Sequence, residues 1–246
     1  MRATAHNWIR ELLEPLRRSP FHPQWLVFRL EERKLAALGP LMSGTVVDVG
    51  CGEQAPRRQI APGGRYIGLD YHRTATEWYH TRPDVYGDAQ CLPLVAGSAH
   101  CVLLLDVLEH LPDPDRCIAE VHRVLCSRGR LIVEVPFLYP IHDAPLDFHR
   151  WTPHGLARLA ERHGFRVESI EAFGSPAETA AMLLNLAYAR ALLNWVERRS
   201  PMIVFAALAP IVVPLCNLAG ALFFSSRSGD GNFMSLGYRA LMTKAT

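Results

Sequence analysis

The densest gathering of chemically active side chains lies between Pro136 and Thr152. It reads Pro-Phe-Leu-Tyr-Pro-Ile-His142-Asp143-Ala-Pro-Leu-Asp147-Phe-His149-Arg150-Trp151-Thr152. A histidine exchanges a proton near neutral pH, and a neighbouring carboxylate tunes and orients its ring. His142 and His149 are therefore candidate general bases, with Asp143 and Asp147 as the orienting groups. Arg150 could grip an anionic group on a bound molecule. The alternative is structural: His149-Arg150-Trp151-Thr152 locks the loop, and Thr152 caps a helix that begins at Pro153.

A second constellation is a glycine loop with acidic company. Asp48-Val-Gly50-Cys-Gly52 closes a short β-branched run, Thr45 to Val49. Small residues at 50 and 52 let the backbone approach a ligand closely, and the following helix start offers free N–H groups. Asp70 ends the next run, Tyr66 to Leu69, where a carboxylate can accept hydrogen bonds from both hydroxyls of a ribose. Asp88-Ala89 follows a third strand position, and Asp106 ends the apolar run Cys101 to Leu105. All four acids thus fall at the carboxyl ends of strands, where open α/β sheets bind ligands. A dinucleotide is disfavoured. Asp48 stands two residues before Gly50, and a carboxylate there suits a cationic amino group better than a pyrophosphate.

These residues need a scaffold. Runs at 45–49, 66–69, 101–105 and 130–135 alternate with helix-like stretches, most clearly Asp113 to Leu125, where Ile118, Val121, Val124 and Leu125 form a helical stripe. Apolar runs without polar alternation fit strands buried on both faces, so the pattern predicts a parallel sheet covered by helices. Residues 4–18 and 24–38 read as helices, the second stopped by Gly39-Pro40. A helix from Pro153 to His163 leads to Phe165–Ile170, and Phe233 to Thr243 reads as a last strand.

Composition narrows the classes. The chain has 246 residues, 49% of them hydrophobic and 20% charged, enough to bury a full core and unlike a disordered chain. A net charge of +2 with no Lys/Arg block argues against a nucleic-acid binder. The six cysteines, at 51, 91, 101, 117, 126 and 216, show no Cys-x-x-Cys spacing, so they read as reduced core residues in a cytosolic protein. Met1 to Pro20 lacks the apolar segment of an export signal.

The ordered series VVDVGCG, YIGLD, GDA, LLLDVLEHLPDP and EVHRVL resembles the class I S-adenosylmethionine-dependent methyltransferases, specifically the type 11-like group. The resemblance covers roughly residues 44–175, with a last strand near 233–243. It implies a Rossmann-like α/β sheet, mostly parallel with an antiparallel last strand, and S-adenosylmethionine as cofactor. It also implies roles. Asp48, Gly50 and Gly52 would line the methionine part and Asp70 would hold the ribose. Asp88 would face the adenine amino group, Ala89 would supply a backbone contact, and Asp106 would sit beside the sulfonium. Three departures concern turns. The helix after the glycine loop, starting Ala55-Pro-Arg-Arg-Gln, is short. Gly97-Ser-Ala-His100 and Cys126-Ser-Arg-Gly129 replace the usual turn sequences. Asp106-x-x-Glu109-His110 resembles a cation-binding set of quinone-biosynthesis O-methyltransferases, but the same block recurs in the superfamily without a metal, and none is assigned here.

The domain reading follows: an N-terminal helical segment (1–40), the cofactor-binding domain (41–175 and 230–246), and an apolar helical insertion (176–229). Within the insertion, Ala180 to Val196 carries one charge, Arg190, and Pro201 to Phe224 carries none. At ~1.5 Å per residue the second segment reaches about 36 Å, a bilayer's core. The strands on either side must join one sheet, so both ends stay on one side. Arg198, Arg199 and Arg227 flank the segment, and Pro210 and Pro214 interrupt it. The expectation is a helical hairpin in the inner face of a membrane, aided by Trp8 and Trp25 on the N-terminal helices. The other reading is a cap on the sheet or a dimer interface.

The functional expectation is methyl transfer, with oxygen favoured as the acceptor atom, to a lipid-linked sugar, a quinone-like ring or another amphiphile at the cytoplasmic face. Two alternatives stand beside it: a membrane-tethered cofactor-binding module without turnover, and a soluble small-molecule methyltransferase with a helical lid.

Overall fold

The computed structural model describes residues 13–222 and 233–245. Seven strands form one sheet: β1 (Thr45–Val49), β2 (Arg65–Asp70), β3 (Val85–Tyr86), β4 (Ala99–Leu105), β5 (Leu125–Pro136), β6 (Phe165–Phe173) and β7 (Gly237–Lys244). Their order is β3-β2-β1-β4-β5-β7-β6. The pairs from β3 to β5 are parallel, and β7 runs antiparallel to both β5 and β6. The strand pattern predicts the parallel part of this sheet, and the antiparallel last strand is the one that the family resemblance implies. The α-helices are α1 (Trp25–Ala36), α2 (Pro114–Val124), α3 (Pro153–Arg162), α4 (Pro176–Glu197) and α5 (Ala209–Leu222).

The chain divides into two compact units, residues 34–173 with 236–246 and residues 1–33 with 174–235. In the first, the continuous apolar runs become central strands. Val46, Val47, Val49, Leu103, Leu104, Ile132 and Val133 are all buried, as strands covered on both faces require. The stripe on α2 buries Cys117, Ile118, Val121 and Val124, and Asp113 caps it by accepting from the Arg116 amide at 3.1 Å. Thr152 Oγ1 caps α3 through the Gly155 amide, also at 3.1 Å. The strands therefore end in a row, and the loops leaving their carboxyl ends gather the acidic residues at one edge of the sheet.

The second unit contains a helical hairpin. Ser175 and Glu178 form a reciprocal capping box that starts α4. After the Arg198-Arg199-Ser200 turn, a 3-10 stretch (Pro201–Leu208) leads into α5. A Cβ on Gly220 would come 2.7 Å from that of Ala181, so the two helices cross closely there. Asn185 Nδ2 donates to Asn217 Oδ1 at 2.8 Å, and Asn217 Nδ2 donates to the carbonyls of Pro20 and His22 at 2.6 and 3.0 Å. A polar clasp inside an apolar unit fixes register, because a misaligned helix would strand those amides.

Several local expectations change. Of the helix expected over 4–18, the part up to residue 12 lies outside the described residues. Leu13 is helical, and the chain then tightens into a short 3-10 turn, Glu14–Leu16, with Pro15 in its first turn. The last strand starts at Gly237 rather than Phe233, which is 81% exposed. All six cysteines are free, but only Cys51, Cys101 and Cys117 are buried; Cys91 is exposed. The helix after the glycine loop is a five-residue 3-10 turn, Ala55–Gln59, as short as its sequence suggests. Trp8 and Arg227 lie outside the described residues.

Candidate active site

The first crossover sets the geometry. Gly50 and Gly52 both take left-handed backbone angles, at φ 74° and 46°. A Cβ on Gly50 would stand 2.5 Å from Val107 Cγ2, so no larger residue fits that turn. The Gly50 and Cys51 amides both donate to the Leu69 carbonyl, at 2.8 and 3.1 Å, tying the loop to the end of β2. Asp70 completes the tie. Its Oδ2 accepts from the Gly52 amide at 2.8 Å and its Oδ1 from the Tyr71 amide at 2.7 Å. Burial raises the Asp70 carboxyl above its ordinary value, against the pull of those two amides.

Asp48 is buried at the end of β1, and the Tyr66 hydroxyl donates to its Oδ2 at 2.5 Å. Burial pushes the Asp48 carboxyl up to about 7, with the charges of Asp70 and Glu134 adding to the rise and Tyr66 opposing it. An acid so placed gains from a cation beside it, which would restore its charged form. Asp88 is exposed after β3 and accepts from the Gln90 amide at 2.8 Å, while Ala89 packs against the core. Asp106 follows β4 at φ 53°, an uncommon conformation for an aspartate. Its half-exposed carboxylate lies 3.1 Å from Lys34 Nζ.

The loop after β5 folds back onto the start of the β4 crossover. The amides of Phe148 and His149 both donate to the Glu109 carbonyl, at 2.8 and 3.3 Å. His149 Nε2 sits 3.1 Å from the Leu111 carbonyl, with its ring 5.6 Å from that of Trp151. His142 is differently placed. Its Nδ1 is 3.2 Å from Asp147 Oδ2, and its backbone amide donates to the same oxygen at 2.9 Å. Asp147 is almost fully buried, and Arg150 clamps it with donations at 2.5 and 2.7 Å. That guanidinium holds the Asp147 carboxyl well below the usual carboxylate range. Arg150 also donates to the carbonyls of Tyr139, Pro140 and His149, so its donors are spent within the loop. Asp143 is half-exposed, 4.0 Å from His110 Nε2.

Of the loop candidates, the side chains of His142, Asp147 and Arg150 thus form one connected chain, and those of His149 and Asp143 stand outside it. Tyr66, Lys34 and Tyr79, whose ring lies against Gly52, stand at the site without belonging to any of the motifs. Glu109 is fully buried, and neither carboxylate oxygen has a hydrogen-bond partner among the described residues. Burial, reinforced by the Asp106 charge, pushes its carboxyl up to about 9. One donor atom each from Glu109, His110 and His142 lies within 4.8 Å of the others, close enough to share a cation.

The methyltransferase domain family matches residues 47–133, which run from the glycine loop through β5. The ubiquinone/menaquinone biosynthesis C-methyltransferase UbiE of Methylobacterium nodulans is 32% identical over 202 residues, covering 74% of this chain and 72% of that protein. The 27-O-demethylrifamycin SV methyltransferase of Amycolatopsis mediterranei is 31% identical over 147 residues, 54% of this chain and 50% of that one. The chain spans 33%, 72% and 52% of the length of three of its curated relatives. Among solved structures, the [4+2]-cyclase SpnF superposes with a TM-score of 0.52 at 17% identity, over 87% of this chain and 80% of that one, a likeness of fold alone.

The chain belongs to the class I S-adenosylmethionine-dependent methyltransferases, in the type 11 group. It is a methyltransferase, and S-adenosylmethionine is its cofactor. The residues present fit that molecule: a glycine turn with no room for a Cβ, a buried acid at 48 suited to an ammonium, and a pinned acid at 70 suited to a ribose.

Proposed function

We propose that the protein methylates an oxygen of an amphiphilic acceptor, such as a lipid-linked sugar or a quinone-like ring, at the cytoplasmic face of a membrane. The observation that carries the oxygen assignment is the environment of His142. Its Nδ1 faces two acceptors, Asp147 Oδ2 and the Pro140 carbonyl. Nδ1 therefore carries the ring proton, and Nε2 is left with a lone pair. That is the form of a general base.

The step balances simply. The acceptor oxygen forms a bond to the methyl carbon, and the carbon–sulfur bond breaks with its electron pair remaining on sulfur. The hydroxyl proton passes to His142 Nε2, and the charged Asp147 stabilises the imidazolium that results. Bound S-adenosylmethionine supplies an already activated methyl group, so alignment and deprotonation are what the protein adds. Asp48 and Asp70 hold the cofactor's two ends, and the glycine loop admits it. Among the relatives, one is described as a C-methyltransferase and one acts on a 27-O-demethyl compound, so carbon is the second reading for the acceptor atom. The same base would serve a phenolic ring methylated at carbon.

The membrane reading rests on the hairpin. Pro201–Leu222 is 22 residues long with a mean hydropathy of 2.3, and only 17% of its most apolar window is buried. Val204, Leu208, Ile211, Leu215, Leu218 and Leu222 follow one another at helical spacing, and all are exposed. The opposite face, Val213, Pro214, Asn217 and Gly220, is the buried one. Such a continuous apolar stripe needs a nonaqueous neighbour. The exposed Arg190, Arg198 and Arg199 favour anionic headgroups and a hairpin lying in the interface rather than crossing it.

Flotation tests this. The protein should rise with vesicles containing anionic lipid. The triple substitution Val204→Gln, Ile211→Gln, Leu215→Gln should leave it at the bottom of the gradient with its melting temperature intact. A soluble dimer that ignores vesicles and becomes monomeric in the triple variant would contradict the membrane reading and favour an interface between two copies.

A further inference from the structure

Two buried cations and two carboxylates meet at the carboxyl end of β4. Lys34 Nζ lies 3.1 Å from Asp106 Oδ2 and 2.9 Å from Glu134 Oε2. Arg239 Nε donates to Glu134 Oε1 at 2.7 Å, and Arg239 donates again to the Lys34 carbonyl at 2.6 Å. The ring of Phe173 faces both cations, 5.0 Å from Lys34 Nζ and 5.3 Å from the Arg239 guanidinium carbon. Lys34, Glu134 and Arg239 are 6%, 2% and 6% exposed. Only the Asp106 side chain, at 42%, reaches solvent. A buried ion network is a poor way to gain stability, since apolar residues of similar size often do as well or better. Its opening onto the site at one carboxylate suggests another purpose.

Methyl transfer changes the charge of the bound cofactor. The donor carries a sulfonium, and the product, S-adenosylhomocysteine, does not. A bare carboxylate beside the sulfonium would hold the donor more tightly than its product and would resist loss of the positive charge in the transition state. We propose that Lys34 is a positioning residue that holds and neutralises Asp106, so that the site does not overbind the cationic donor relative to the neutral product. This rests on the proposed methyl transfer and on Asp106 lying beside the sulfonium, as the family resemblance implies. It makes Lys34 a determinant of the balance between donor and product affinity.

A double-mutant cycle read by calorimetry tests it, with S-adenosylmethionine and S-adenosylhomocysteine titrated into the full chain. Lys34→Met keeps the stem that packs in the network and leaves Glu134 paired with Arg239. It should raise the donor-to-product affinity ratio by about tenfold, the effect of one uncompensated charge across a partly solvated site. Asp106→Asn leaves Lys34 unbalanced and should lower the ratio by a similar factor. The double variant should return it near the wild-type value, and Lys34→Arg should preserve it. A general loss of folding would weaken both ligands together and leave the ratio unmoved, so the ratio separates charge from structure. Lys34→Arg and Asp106→Asn keep the cycle readable even if Lys34→Met folds poorly, because a shift in the second without one in the first is still required. A ratio that moves in Asp106→Asn but not in Lys34→Met overturns the role of Lys34. A ratio that moves in neither overturns the placement of Asp106 beside the sulfonium, and the proposal with it.

Discussion

Replacing Asp70 with alanine should weaken S-adenosylmethionine binding by a hundredfold or more. The carboxylate does two things at once. It pins the glycine loop by accepting the Gly52 amide at 2.8 Å, and it is itself fixed by the Tyr71 amide at 2.7 Å. In that fixed position its remaining lone pairs are available to a ribose. Hydrogen bonds to a charged group contribute about 1.5–3 kcal/mol each, so losing two to a ligand amounts to roughly 3–6 kcal/mol. The alanine variant also leaves the Gly52 and Tyr71 amides without that acceptor, so the loop should loosen even without ligand. Asp70→Asn, which keeps one acceptor oxygen, should fall between. Isothermal titration is the direct measure, and an unchanged dissociation constant in Asp70→Ala would remove Asp70 from the cofactor site.

Replacing His142 with alanine should lower kcat by about 10²–10⁴, the usual contribution of a positioned general base, while cofactor affinity stays the same. The split matters, because His142 lies in the loop after β5 and not in the glycine loop. Asp147→Asn should also lower kcat, by less. The clamp from Arg150 keeps Asp147 charged throughout any practical assay range, and an asparagine would lose both that charge and its firm hold on the Nδ1 proton. His149→Ala is the control. Its ring is engaged with the Leu111 carbonyl and Trp151, so its loss should lower the melting temperature more than kcat. If His149→Ala abolished turnover and His142→Ala did not, the roles assigned to the two histidines would be reversed.

Much of the placement of this candidate site is legible in the sequence because the fold follows simple rules. Apolar runs with Asp48, Asp70 and Asp106 at or beside their ends become strands, and the carboxyl ends of parallel strands share one edge. The choice between His142 and His149, and between Asp143 and Asp147, is not legible. It depends on how a loop with few repeating contacts folds back, and here the decisive contacts are the two amides that donate to Glu109 and the Arg150 clamp on Asp147. Lys34 is hidden for a different reason. It sits in the run Glu31-Glu32-Arg33-Lys34, which reads as a solvated helix face, yet the end of α1 turns this one side chain toward Glu134 and Asp106. Tyr66 gives no local signal that its hydroxyl would reach Asp48 on the neighbouring strand. The last strand is misjudged at its start because Phe233 is apolar by type, although β7 pairs with β5 and β6 only from Gly237.

The central claim is methyl transfer to an amphiphilic acceptor, and the most direct test follows the methyl group itself. Purified protein would be incubated with methyl-labelled S-adenosylmethionine and a total cell extract containing membranes, and the products partitioned between organic and aqueous phases. The account predicts protein-dependent label in the organic phase, lost in His142→Ala. Label confined to the aqueous phase would contradict the amphiphilic acceptor, and label in neither phase with cofactor binding intact would contradict turnover.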